Sequence, residues 1–119
     1  MTYQRKELGQ MGEDEATKKL LELGYEILQR NYKNKIGEID IVAKDGNVWC
    51  FVEVKTKSGT GYGSPEEMVG KRKQRKIINT ARFYLLEHKL KNINWRIDVV
   101  AVDIKTADIR VIKNAVEEQ

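Results

Sequence analysis

The sequence predicts an α/β domain in the order helix, three strands, helix, two strands, and three patterns carry that prediction. Two runs rich in Val, Ile, Trp and Phe, Ile39 to Val42 and Val48 to Val54, flank Asp45-Gly46, a strong short-range hairpin signal. Apolar stripes at helical spacing, Ala16-Leu20-Leu23 and Ile78-Ala81-Leu85, lie before and after that hairpin. Two further apolar runs, Trp95 to Ile104 and Ile109 to Ile112, close the chain around a turn at Thr106-Ala107-Asp108.

The first helix is expected from Leu8 to Leu23, with Gly24 suited to the left-handed position that ends helices. Its apolar stripe, carried back one turn, lands on Glu13, so a carboxylate sits on the inward-facing line. An acid in a first turn is also favoured by the helix dipole, and both explanations stand at this point. Tyr25 to Tyr32 reads as the first strand, followed by an Asn-Lys turn. The Gly-rich stretch Ser58 to Pro65 fits neither phosphate-binding fingerprint and is expected to be a mobile loop facing substrate. A second helix from Pro65 to Lys89 opens with Ser64-Pro65-Glu66-Glu67, a capping Ser followed by Pro and two acids. Ala115 to Gln119 is expected to fray.

Acids inside the hairpin demand explanation. Side chains alternate along a strand, so Glu38, Asp40 and Val42 should share one face and Ile39, Ile41 and Ala43 the other, while Trp49, Phe51, Glu53 and Lys55 fall together. With Asp45-Gly46 as the turn, Glu38 lies opposite Glu53 and Asp40 opposite Phe51. Asp40 and Glu53 are then diagonal neighbours about 7–8 Å apart at the backbone. Two carboxylates about 4 Å apart repel by about 4 kcal/mol at an effective dielectric of about 20, so a cation belongs between them. Oxygen ligands without His or Cys suit Mg2+, Mn2+ or Ca2+ rather than zinc. A Glu–Lys pair on a solvated strand face is the plainer alternative, weakened because Val42, Trp49 and Phe51 share that face.

At 119 residues the chain is one domain's worth, with its core from about residue 8 to 113. Twenty-two basic against 18 acidic residues give a net charge of +4, compatible with a polyanionic partner. No apolar run is long enough to cross a bilayer, and MTYQRKELGQ lacks the apolar core of a signal peptide, so a cytoplasmic protein without membrane attachment is expected. Cys50 is the one cysteine and, with the parity of Val48, Val52 and Val54, is expected to be buried and inert.

The second helix carries Gln74 one turn before Ile78, on its apolar line. Around it, KRKQRK from Lys71 to Lys76 puts five cations in six residues near the helix start, where the dipole disfavours them. An external anion, most simply phosphate, would offset that cost; a solvated basic face is the alternative. His88 stands near the helix end with no partner, and Asp98 is expected to hold Arg96 rather than a metal.

The element order, Asp40 on the second strand and Glu53-x-Lys55 on the third resemble the PD-(D/E)xK nuclease superfamily. Twelve residues between Asp40 and Glu53 resemble its Holliday-junction-resolvase-like branch. More narrowly, GEIDIVA, FVEVKTKSG, Gly63 and Pro65, KRKQRK and RIDVVAV, in that order between Gly9 and Val102, resemble the YraN-like family of bacterial proteins. The resemblance implies a restriction-endonuclease-like core, with a mixed five-stranded sheet flanked by two helices. It implies that Asp40 and Glu53 bind Mg2+ or Mn2+ and that Lys55 positions or activates the attacking water. Glu13 matches the first-helix acid of the resolvase branch, where it would hold a second ion or metal-bound water, and Gln74 a polar residue found beside such sites. Ile39 stands where the superfamily's Pro would precede Asp40. Expected, therefore, is a metal-dependent nuclease acting on branched or single-stranded DNA. Lys57, Lys71, Arg72, Lys73, Arg75 and Lys76 would grip phosphates, and a homodimer is open as the route to cutting two strands. A nucleic-acid-binding module that retains the fold without turnover is the alternative.

Overall fold

Antiparallel hairpins at both edges of one sheet enclose a central parallel pair. The computed structural model describes residues 4–58 and 65–116. The elements are α1 (Arg5–Glu22), β1 (Glu26–Lys33), β2 (Glu38–Asp45), β3 (Val48–Lys57), α2 (Pro65–Met68), α3 (Lys71–Glu87), β4 (Trp95–Asp103) and β5 (Ile109–Val116). The strands lie in chain order, with β3 and β4 parallel and every other pairing antiparallel. A parallel pair cannot be joined by a tight turn, and α2 and α3 supply the crossover.

Helix α1 stops where Gly24 takes φ +90°, with Gly24 N–H donating to Leu21 O and Tyr25 N–H to Leu20 O. This double closure is the glycine-ended cap expected from Gly24. Ala16 and Leu20 then pack with Tyr25, Ile41, Ala43, Cys50, Val52, Val100 and Val102 on one side of the sheet. On the other side Met68, Val69, Ile77, Ile78, Ala81 and Tyr84 meet Tyr32, Val42, Phe51, Ile97, Val99 and Ala101. Tyr84 anchors α3 through edge contacts to Tyr32 and Phe51, with ring centroids 5.0 and 5.4 Å apart. Cys50 is fully buried as expected, and that burial pushes its thiol up to about 12.

Four expectations need correcting. The central turn falls on Gly46-Asn47, because Asp45 pairs with Val48 and Gly46 alone takes the positive φ (62°) that this hairpin requires at its first central position. The register therefore moves by two residues, and the position opposite Glu53 is Asp40 rather than Glu38. Second, Ile39 and Ile41 do not share a side: Ile39 packs with the α3 cluster and Ile41 with the α1 cluster. The slip occurs at Asp40, across from Asn31, whose φ of 54° interrupts the extended run of β1. Third, the long second helix is two: a single turn, α2, then Gly70 in extended conformation (φ −63°, ψ 160°) before α3 begins at Lys71. Fourth, the expected frayed tail is strand as far as Val116, which pairs with Ile97 and is buried. The Gly-rich loop at 59–64, its capping Ser64 and residues 117–119 lie outside the described residues.

A polar cluster ties the sheet's far end together. Asp98, fully buried, accepts from Tyr25 Oη (2.9 Å), Arg96 Nε (2.9 Å) and the Asn114 N–H (2.8 Å). Arg96 also reaches Asp45 at 2.7 Å, so the expected Arg96–Asp98 pair is part of a clamp joining β4, β5 and the hairpin end. With these partners every oxygen is satisfied, the condition under which a charge is tolerated inside.

Candidate metal and nucleic-acid site

The site forms where the β2–β3 ladder opens. Regular pairing ends at Ile41 and Val52, and one step outward the Val54 N–H donates to Asp40 Oδ2 at 2.7 Å instead of to a carbonyl. Asp40 is thereby turned toward Glu53 on the α3 side of the sheet. Burial, followed by the neighbouring Glu53 carboxylate, pushes Asp40 up to about 7, although the Val54 N–H and Lys73 pull the other way.

Lys73, from the first turn of α3, places its Nζ 3.0 Å from Glu53 Oε1. Partial burial weakens its ammonium, but Glu53, Asp40 and Glu38 together hold it above the ordinary lysine range. A cleft of about 660 Å³ covers these groups, lined among the described residues by Gly37, Glu38, Asp40, Glu53, Gly70, Arg72, Lys73, Lys76 and Ile77. Gly37 keeps the cleft wall close to α3, since a Cβ there would lie 2.8 Å from Thr80 Oγ1.

The predicted residues do not all converge. Asp40 and Glu53 come together, with Lys73 on Glu53 and with Arg72 and Lys76 along the cleft. Lys55 lies two residues beyond Glu53 on the same side of β3, beside Ala101. Lys71, Arg72, Lys73, Arg75 and Lys76 are exposed on the first turns of α3, and Lys57 is partly exposed near the end of β3. Glu13 and Gln74, by contrast, are buried and engaged elsewhere. Glu13 Oε1 accepts from Arg30 Nε at 2.9 Å, and Arg30 also holds Asp14 at 2.7 Å. Gln74 Nε2 donates to Val69 O at 2.6 Å, satisfying the carbonyl at the break between α2 and α3. His88, the C-cap of α3, stacks on Tyr84 with centroids 3.9 Å apart and shares a hydrogen bond with Tyr84 O.

Among the described residues no three of His, Cys, Asp and Glu converge as a ligand cage. The donor set is therefore a pair of carboxylates, Asp40 and Glu53, with Glu38 on the cleft wall. That set fits Mg2+ or Mn2+, which keep several waters and accept one or two carboxylates plus phosphate oxygens. It does not fit zinc, which takes four protein ligands in structural sites and three in catalytic ones. The pairing of Lys73 with Glu53 shows that a positive charge belongs here. Sequence reasoning assigned Lys73 to phosphate alone. The buried line Ile77, Thr80 and Tyr84, carried back one turn from Ile77, points at Lys73, whereas the line through Ile78 points at Gln74.

Fold and site define a restriction-endonuclease-like α/β domain with an acidic pair set beneath a basic helix. The chain belongs to the uncharacterised protein family UPF0102, which it matches over residues 12–102. A UPF0102 protein of Caldicellulosiruptor saccharolyticus is 44% identical over 115 residues, covering 93% of this chain and 98% of the relative. One from Persephonella marina is 47% identical over 90% of each chain, and one from Dehalococcoides mccartyi 43% identical over the whole of both. No helix among the described residues is long and apolar enough to cross a membrane.

Proposed function

We propose that the protein is a divalent-metal-dependent phosphodiesterase acting on DNA, selective for branched or single-stranded structure rather than for sequence. The observation that carries this reading is the confrontation of Asp40 and Glu53 in a cleft whose other wall is cationic. Asp40 and Glu53 hold Mg2+ or Mn2+, which when bound supplies Lewis acidity at a phosphoryl oxygen and lowers the pKa of a coordinated water. Lys55 orients the attacking water and offsets the charge developing on the phosphate. Arg72 and Lys76 bind the flanking phosphates, and Lys71, Arg75 and Lys57 extend that track, contacts that position nucleic acid without reading bases. Gln74 and Glu13 are positioning residues, fixing the start of α3 and the seat of α1 on β1.

A cleavage panel of branched, duplex and single-stranded DNA with manganese, run beside Lys55→Ala and Glu53→Ala, tests the reading. Cleavage in the parent that is lost in both variants is the expected result. Cleavage surviving in both, or salt-sensitive binding without any cleavage, would replace it, the latter with a non-catalytic DNA-binding module.

A further inference from the structure

Lys73 is placed to do more than touch phosphate. Its ammonium lies 3.0 Å from a Glu53 carboxylate that is 8% exposed, yet its own side chain is 54% exposed. One end of this ion pair is locked in the protein and the other is free to leave. The backbone beneath Lys73 cannot follow, because Ile77, one turn on, is buried and Tyr84 is pinned among Tyr32 and Phe51. Motion is thus confined to a four-carbon stem that reaches either the acids or the open cleft. A divalent ion held by Asp40 and Glu53 would occupy the ground on which the Lys73 charge now sits, and like charges exclude one another at that range.

We propose that Lys73 is a tethered counterion that neutralises the Asp40–Glu53 pair before metal binds, is displaced by the divalent ion, and then bonds a substrate phosphate. This rests on the nuclease reading of the same site. Metal entry and phosphate capture are thereby coupled: the ion that fills the acidic pair also releases a phosphate ligand. The cost is a competitor for the ion, so the lysine weakens metal affinity while DNA is absent.

Binding of Mn2+ to the full chain without DNA, followed by the electron paramagnetic resonance signal of free Mn2+, separates the possibilities. Lys73→Gln should bind Mn2+ about fivefold more tightly, equivalent to about 1 kcal/mol, while Lys73→Arg should not. Lys91→Ala, which removes an equal charge from an exposed loop position, should match the parent. Unchanged or weaker binding by Lys73→Gln, with parent binding that depends on Asp40 and Glu53, overturns the counterion role and leaves the metal site standing. Parent binding that is undetectable, or that persists in Asp40→Asn and Glu53→Gln, overturns both. The second half is read from the salt dependence of single-stranded oligonucleotide binding by fluorescence anisotropy. With Ca2+ present, Lys73→Gln should flatten the log–log slope by about 0.7, the value of one phosphate contact on a single strand; in chelator it should leave the slope unchanged. An equal change in both conditions refutes the exchange.

Discussion

Replacing Asp40 by Asn should stabilise the metal-free protein at alkaline pH. Asn keeps an oxygen to accept the Val54 N–H, now held by Asp40 Oδ2 at 2.7 Å, and adds an amide that can donate to Glu53. In the parent, Asp40 rises from 3.8 in the unfolded chain to about 7 in the fold. Below pH 3.8 both states carry the proton and Asp40 contributes no penalty. Between 3.8 and about 7 the folded state retains a proton that the unfolded state has lost, so stability falls as pH rises. Above about 7 the full penalty is present. At about 1.4 kcal/mol per unit, its ceiling is about 4 kcal/mol. Burying an amide in place of a carboxyl returns part of this, so a gain of about 2 kcal/mol at pH 8 is expected, shrinking toward zero near pH 4. Urea unfolding of both proteins in chelator at pH 4, 6 and 8 measures it. A difference that is independent of pH, or an Asn variant less stable at pH 8, would refute the account of Asp40 as a buried acid crowded by Glu53.

Other outcomes follow from the same geometry. Manganese at about 100 times its dissociation constant should add about 3 kcal/mol, raising Tm of the parent by about 10 °C and that of Glu53→Gln far less; equal rises in a thermal melt would place the ion elsewhere. Gly12 lies where a Cβ would collide with the Thr56 side chain, so Gly12→Ala should cost about 1–3 kcal/mol. Much of that loss should return when Thr56 is also cut to Ala, and strict additivity in the double-mutant cycle would dismiss the contact. Tyr25→Phe removes one of the donors to buried Asp98 and should cost about 1–2 kcal/mol in denaturant unfolding; a neutral result would mean that Arg96 and Asn114 suffice.

Much of this architecture can be read from residue pattern because the strands are strongly β-branched and the glycines sit where helices end. Gly24 closes α1, and Glu53 and Lys55 follow from simple alternation along β3, whereas Asp40 sits where the alternation of β2 breaks. The errors have local causes. Asp45 and Gly46 look like a turn pair, but Asp45 is drawn into the ladder by Arg96 and Lys113, partners distant in sequence, and the turn moves on to Gly46-Asn47. The break before α3 was hidden because Ser64-Pro65-Glu66 resembles a helix start, while the start of α3 is capped by Gly70, which has no side chain to announce it. Glu13 fell on the correct inward line, yet its partner Arg30 could not be foreseen: β1 shifts register between Ile27 and Gln29, and Asn31 takes a φ of 54° that breaks the extended run. The pairing of Lys73 with Glu53 depends on where α3 crosses the sheet, a tertiary fact that no local spacing encodes.

The bond from the Val54 amide to the Asp40 carboxylate turns one backbone proton into a built-in reporter. Its nuclear magnetic resonance frequency and its exchange with deuterated solvent register the charge state and company of that carboxylate. Titrating magnesium, manganese-free and without substrate, against a ¹⁵N-labelled sample should therefore move the Val54 cross-peak ahead of those deeper in β3. A shift at Val54 would thus test the proposed metal site independently of any cleavage assay.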